Sequence, residues 1–239
     1  MIDWALGAVV IAAASFVQGL AGFGIGLVGL AFLPYLMSPV TAIALLTLYA
    51  APFALGVFLQ LRDDFRLSGI RDLLIGTVLG TPLGVWGLAA LPASAINRLI
   101  GAVIVLIVVL EWRGLFPERL PGRWWGLGAG LLAGALGGAV GTPAPPAIVY
   151  STTQGWSPRT MKANLQAFLV VNQALILAGY WWAGLVTGQV MSLAVTFAVP
   201  AVAGVLTGIA LFGRIDAVLF RRIVFALLLV SGLILLARG

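Results

Sequence analysis

Apolar runs of roughly 20 residues follow one another along almost the whole chain, and nearly all the charge falls in the short turns between them. No other feature constrains the fold as strongly. A soluble domain is about 45–50% apolar and about 25% charged. This 239-residue chain is 62% hydrophobic and 8% charged, with a mean hydropathy of +1.15. Such a chain needs lipid as its solvent. In lipid every backbone N–H and C=O must find a partner inside the protein, which leaves helices or a closed barrel. The runs show no period-two alternation, so helices are expected. The predicted fold class is all-α, a polytopic transmembrane helical bundle.

Ten segments can be drawn: 4–21, 23–37, 40–60, 70–90, 94–112, 124–140, 142–153, 162–184, 188–212 and 217–237. A helix rises 1.5 Å per residue, so the second and seventh are too short to cross straight. They read as half-helices or arms of re-entrant hairpins.

Lys and Arg set the expected orientation. Eleven of the thirteen lie in four connections: Arg62, Arg66 and Arg71; Arg113, Arg119 and Arg123; Arg159 and Lys162; Arg214, Arg221 and Arg222. Only Arg98 and Arg238 fall on the other side. With ten alternating segments the basic side is cytoplasmic, in a cell (inner) membrane, and both termini lie outside. The tryptophans, Trp4, Trp86, Trp112, Trp124, Trp125, Trp156, Trp181 and Trp182, fall at the boundaries, as an aromatic belt does. The net charge of +6 is thus assigned to topology and not to nucleic acid. Met1-Ile2-Asp3-Trp4 has no basic n-region, so the first segment is expected to be retained. The sequence has no Cys and no His, which excludes thiolate chemistry and His-based metal or acid–base sites. No metal and no cofactor are expected.

The sequence also repeats. Gly19, Gly22 and Gly26 recur as Gly134, Gly137 and Gly141; Ser38-Pro39 as Ser157-Pro158; Gly80 and Gly84 as Gly204 and Gly208; Arg98 as Arg222. The order is kept while the offset grows from 115 to 119 to 124. Each half holds about five segments, an odd number, so the second half enters from the opposite side. The expected organisation is an inverted repeat, 1–112 and 124–239, joined by a cytoplasmic linker at 113–123.

The most unusual backbone opens each half: Gln18-Gly19-Leu20-Ala21-Gly22-Phe23-Gly24-Ile25-Gly26, and Gly134 through Gly137-Gly138-Ala139-Val140-Gly141-Thr142-Pro143-Ala144-Pro145-Pro146. Glycine and proline both weaken a helix interior. Broken helices persist in membranes where they line an enclosed or watery cavity, although small residues also serve plain helix packing. Three prolines in four residues favour a break. Thr142 is expected to cap a new helix with Pro143 in its first position. Free N–H groups at such a start attract anions. Two starts, one per half, would meet near the midplane. The candidate substrate-binding residues are Gln18, Gly22, Phe23, Gly24, Gly26, Thr47, Tyr49, Gly138, Gly141, Thr142, Pro143, Gln166, Asn172 and Gln173. Amides and hydroxyls on the third and eighth segments would complete an anion's hydrogen bonds, or serve as interhelical contacts. Asn164, near the cytoplasmic end, and Arg98, at the outer mouth, are weaker candidates. The acids Asp3, Asp63, Asp64, Asp72, Glu111, Glu118 and Asp216 all lie in loops or at segment ends. No carboxylate relay crosses the membrane, so a coupling proton would travel with the substrate.

The Gly-rich start of each half, the Ser-Pro after each break, and the Gly80–Gly84 and Gly204–Gly208 helices followed by Asn97-Arg98 and Arg221-Arg222 resemble the sulfite exporter TauE/SafE family, also grouped as 4-toluene sulfonate uptake permeases. Many members carry a compact Gly-x-Gly-Gly-Gly followed by proline, and here the glycines are spaced more loosely. The resemblance covers nearly the whole chain. It implies a multi-pass permease whose partners are the lipid bilayer and a small anion: sulfite, a sulfonate or a short carboxylate. A passive anion channel and a non-transporting scaffold are the alternatives. An intramembrane enzyme is disfavoured without His, Cys or buried acids.

Overall fold

The computed structural model describes residues 4–113, 122–211 and 217–238, and every regular element among them is helical. Asp3, Glu118, Arg119, Arg214, Asp216, Gly239 and most of the 113–123 linker lie outside the described residues, as do the side chains of Glu111, Trp112, Arg221 and Arg222. The helices are α1 (Trp4–Ala21), α2 (Ile25–Phe32), α3 (Pro39–Leu61), α4 (Leu67–Ala90), α5 (Ala93–Arg113), α6 (Arg123–Val140), α7 (Ala144–Thr152), α8 (Pro158–Trp182), α9 (Gly188–Thr196), α10 (Ala198–Ala210) and α11 (Ala217–Arg238). Among the described residues α1, α3, α4, α5 and α8 are long and apolar enough to span a bilayer. The short second and seventh segments are α2 and α7, of eight and nine residues.

The ninth segment corrects the expectation of one continuous helix. It is two helices, α9 and α10, bent by 52° at Phe197. The cause is Pro200, which has no N–H for the carbonyl of Thr196 and whose ring crowds that carbonyl. The buried Phe197 fills the bend. A methyl group on Gly7 would come within 2.8 Å of its ring.

The chain forms two compact units, and neither follows a half of the sequence. One unit comprises 1–49, 91–114 and 186–239; the other comprises 50–90 and 115–185. Each draws helices from both halves.

In the first unit α1 packs on α10 through glycines. A methyl group on Gly19 would lie 2.2 Å from the carbonyl oxygen of Val205, and methyls on Gly204 and Gly208 would strike the carbonyls of Ala12 and Phe16. The backbones touch there, and no larger residue fits. Such seams gain from dense packing, because lipid supplies no hydrophobic force between helices. In this unit α5 also meets α11 closely: a methyl on Gly101 would lie 2.6 Å from the Gly232 carbonyl oxygen.

In the second unit α4 packs on α6. A methyl on Gly134 would lie 2.5 Å from the Thr77 carbonyl oxygen, and methyls on Gly76 and Gly80 would strike the carbonyls of Leu127 and Leu131. These contacts reproduce those of the α1–α10 seam residue for residue. The shift is 115 positions from α1 to α6 and 128 from α4 to α10. The packing therefore aligns Gly76 and Gly80, one turn earlier than the sequence match at 124, with Gly204 and Gly208.

Helix starts repeat as well. Ser38 Oγ accepts from the backbone N–H of Thr41 at 3.1 Å ahead of α3, and Ser157 Oγ accepts from that of Thr160 at 3.2 Å ahead of α8. Each Ser-Pro is an N-cap followed by proline at the first helical position.

Candidate functional site

Both expected breaks are present, and they differ in chemistry. In the first unit α1 stops at Ala21 and α2 begins at Ile25. Gly22 and Gly24 turn the chain with φ of 83° and 111°, a region open to glycine. Gln18 closes this break. Its Nε2 donates to the Gly22 carbonyl at 3.1 Å, and its Oε1 accepts from the Ile25 N–H at 3.2 Å. One buried amide satisfies the end of one helix and the start of the next. Phe23 is half-buried in the turn, and Gly26 is buried in the first turn of α2.

Thr47 and Tyr49, in the same unit, are engaged in structure. Thr47 Oγ1 donates back to the Ile43 carbonyl at 2.8 Å. The Tyr49 hydroxyl donates to the Ala194 carbonyl at 2.6 Å, fixing α9 just before its bend.

In the second unit α6 ends at Val140, and Gly141 reverses the chain with φ 65°. Its N–H donates to the Gly137 carbonyl at 2.8 Å, the αL termination of a helix. The N-cap of α7 is Pro143, which has no side-chain acceptor, so Thr142 does not cap the helix as expected. It sits one residue too early. Its Oγ1 is buried with no hydrogen-bond partner.

The expected array of free N–H groups is also corrected. A helix leaves its first four N–H groups open. For α7 these belong to residues 143–146, of which Pro143, Pro145 and Pro146 have none. Only Ala144 can donate.

Helix α8 reaches this break through Asn172. Asn172 is fully buried, and its Nδ2 donates to Thr77 Oγ1 on α4. Its Oδ1 has no partner and lies 3.0 Å from where a methyl on Gly137 would sit, a position equally close to Pro143. Gln166 and Gln173 are buried on the same helix, and Gln173 Oε1 has no partner. Among the described residues no charged side chain is buried.

Tyr180 is not singled out by the sequence, where it stands beside Trp181 and Trp182. Those two are 71% and 93% exposed, whereas Tyr180 is fully buried. Its hydroxyl donates to the Gly138 carbonyl at 2.8 Å and lies 3.3 Å from that of Gly137. It satisfies a last-turn carbonyl that α6 itself leaves open. Its signal was spacing: Asn172, Ile176 and Tyr180 fall at i, i+4 and i+8.

The weaker candidates lie elsewhere. Asn164 Oδ1 accepts from the backbone N–H of Arg66 at 2.8 Å and anchors α8 to the α3–α4 connection. Arg98 is exposed, beside a shallow groove of about 440 Å³ lined by Leu91, Ser94, Leu99 and Leu236. The acids pair at the ends of helices: Asp72 with Arg123 at 3.5 Å and Asp64 with Arg159 at 3.4 Å.

The family model described as sulfite exporter TauE/SafE matches residues 6–235. No curated protein and no solved structure matches the chain.

Proposed function

Because the chain belongs to the sulfite exporter TauE/SafE family, we propose that it is a secondary transporter that carries a small oxyanion, a sulfite, sulfonate or short carboxylate, by alternating access. It is a multi-pass membrane protein. The observation that carries the reading is the α6–α7 break. There a helix is interrupted beside two buried, unpartnered polar groups, Thr142 Oγ1 and Asn172 Oδ1. Native structures pair more than nine in ten buried polar groups, so two open ones beside a break call for a ligand. The Thr142 hydroxyl, the amide of Gln173 and the Ala144 N–H are the donors offered to the anion. Gln18 satisfies its own break and holds the first one shut.

The matching glycine seams support an inverted repeat of 1–112 and 124–239, the architecture that gives a transporter two pseudo-symmetric states. In the second unit the basic connections around Arg62–Arg71, Arg123 and Arg159–Lys162 are tied together by the Arg123–Asp72, Arg159–Asp64 and Arg66–Asn164 contacts. That grouping supports a single cytoplasmic face with both termini outside.

The test is uptake by purified protein in proteoliposomes of labelled sulfite, methanesulfonate and acetate. Saturable, concentrative flux of one of them is expected, and Thr142→Val lowers it roughly ten-fold, the effect of losing one hydrogen bond to a charged ligand. Flux that never exceeds equilibrium would favour a channel. Absence of flux for the whole panel would remove the reading.

A further inference from the structure

The prolines of the α6–α7 break remove donors from carbonyl oxygens as well as from the start of α7. In a continuous helix the N–H groups of residues 143, 145 and 146 would bond to the carbonyls of Ala139, Gly141 and Thr142. All three donors are prolines. The break is therefore rich in oxygen and poor in N–H. To the three carbonyls it adds Thr142 Oγ1 and Asn172 Oδ1, both buried and without a partner. Asn172 Oδ1 faces the break beside Gly137 and Pro143, held there by the bond from its Nδ2 to Thr77.

Two of these five neutral oxygens, Thr142 Oγ1 and Asn172 Oδ1, are buried without a partner, a setting that repels a bare anion and suits a cation. None of the five belongs to a carboxylate, which hard divalent ions recruit. Unwound carbonyls and helix C-terminal ends are the ligands that broken-helix transporters offer to monovalent coupling ions. We propose that the α6–α7 break binds a monovalent cation, Na+, through the carbonyls of Ala139, Gly141 and Thr142 with Thr142 Oγ1 and Asn172 Oδ1. The ion supplies the countercharge that, among the described residues, no buried Lys or Arg provides, and its gradient drives the anion. Cation binding stands on the break alone; the coupling rests on the transport reading above.

The experiment measures 22Na+ binding to the purified protein in nanodiscs, with choline as the inert replacement, and then sulfite uptake under an imposed Na+ gradient with pH equal on both sides. Saturable 22Na+ binding is expected. Asn172→Leu weakens it roughly ten-fold or more, a change equivalent to one lost ligand. Asn172→Asp keeps the oxygen and retains or tightens binding, so the test survives if the leucine variant fails to fold. Na+ binding without flux of any anion in the panel leaves the cation site standing and removes the transport reading. Anion flux that ignores Na+ and follows a pH gradient, with no saturable 22Na+ binding, overturns the proposal and leaves the transport reading intact.

Discussion

Asn172 donates its amide to the hydroxyl of Thr77, and that one bond between α8 and α4 turns its carbonyl oxygen towards Gly137 and Pro143. Thr77 touches no break itself, yet it fixes the orientation of a residue that does. Thr77→Val keeps the volume and removes the hydroxyl. It is expected to cost about 1 kcal/mol of stability and to raise the KM for transport several-fold while the protein stays folded. Thermal unfolding and uptake kinetics on the same preparation check both parts. An unchanged KM would mean that Asn172 does not need this anchor.

The α4–α6 seam has no spare room. A methyl on Gly80 would lie 2.1 Å from the Leu131 carbonyl oxygen, whereas nothing stands within 4 Å of one on Gly87 of the same helix. Gly80→Val is expected to abolish the folded protein, because the obstacle is backbone and cannot swing aside. Gly87→Ala is expected to leave yield and stability unchanged or slightly improved, since alanine is the better helix former. Size-exclusion profiles of the two variants distinguish these outcomes.

Gln18 carries two caps at once. Gln18→Leu leaves the Ile25 N–H without that partner, at an expected cost of about 1–3 kcal/mol, and removes one donor from the Gly22 carbonyl. The loss is local to the first break, so hydrogen exchange at Ile25 should accelerate well before exchange in the middle of α4. Uniform protection in the variant would show that other groups hold the turn.

Orientation can be read chemically, because the chain has no native cysteine to remove. Arg62 and Leu91 are both exposed, at opposite ends of α4. A membrane-impermeant maleimide applied to intact cells should label Leu91→Cys and spare Arg62→Cys until the cells are opened. The reverse pattern would invert the proposed topology.

Much of the architecture was legible in the sequence. Apolar length and composition placed the helices, and Gly22, Gly24 and Gly141 marked turns that only glycine makes easily. Proline was less readable. Pro52 and Pro82 lie inside continuous helices, while Pro200 bends its segment at Phe197. The residue alone does not say which, because neighbouring helices decide whether the freed carbonyl is tolerated. The site was half legible. The breaks were visible, but Pro143, Pro145 and Pro146 mark a helix stop more plainly than they mark a loss of N–H groups. Tyr180 was hidden because one aromatic of a cluster at a helix end looks like the next. The partners of Thr47, Tyr49 and Asn164 depend on contacts far apart in the chain, which no local pattern records.

The glycine seams also set an order of events during synthesis. The α4–α6 seam joins helices separated only by α5 and can close as soon as α6 is inserted. The surface of α1 around Gly19 must wait for Val205, 186 residues later, an interval of roughly 10–40 s at ordinary rates of translation. Throughout that time a bare glycine stripe faces lipid or the insertion machinery. Helix α1 is thus inserted long before its seam with α10 can close, and faults in biogenesis are expected to strike it.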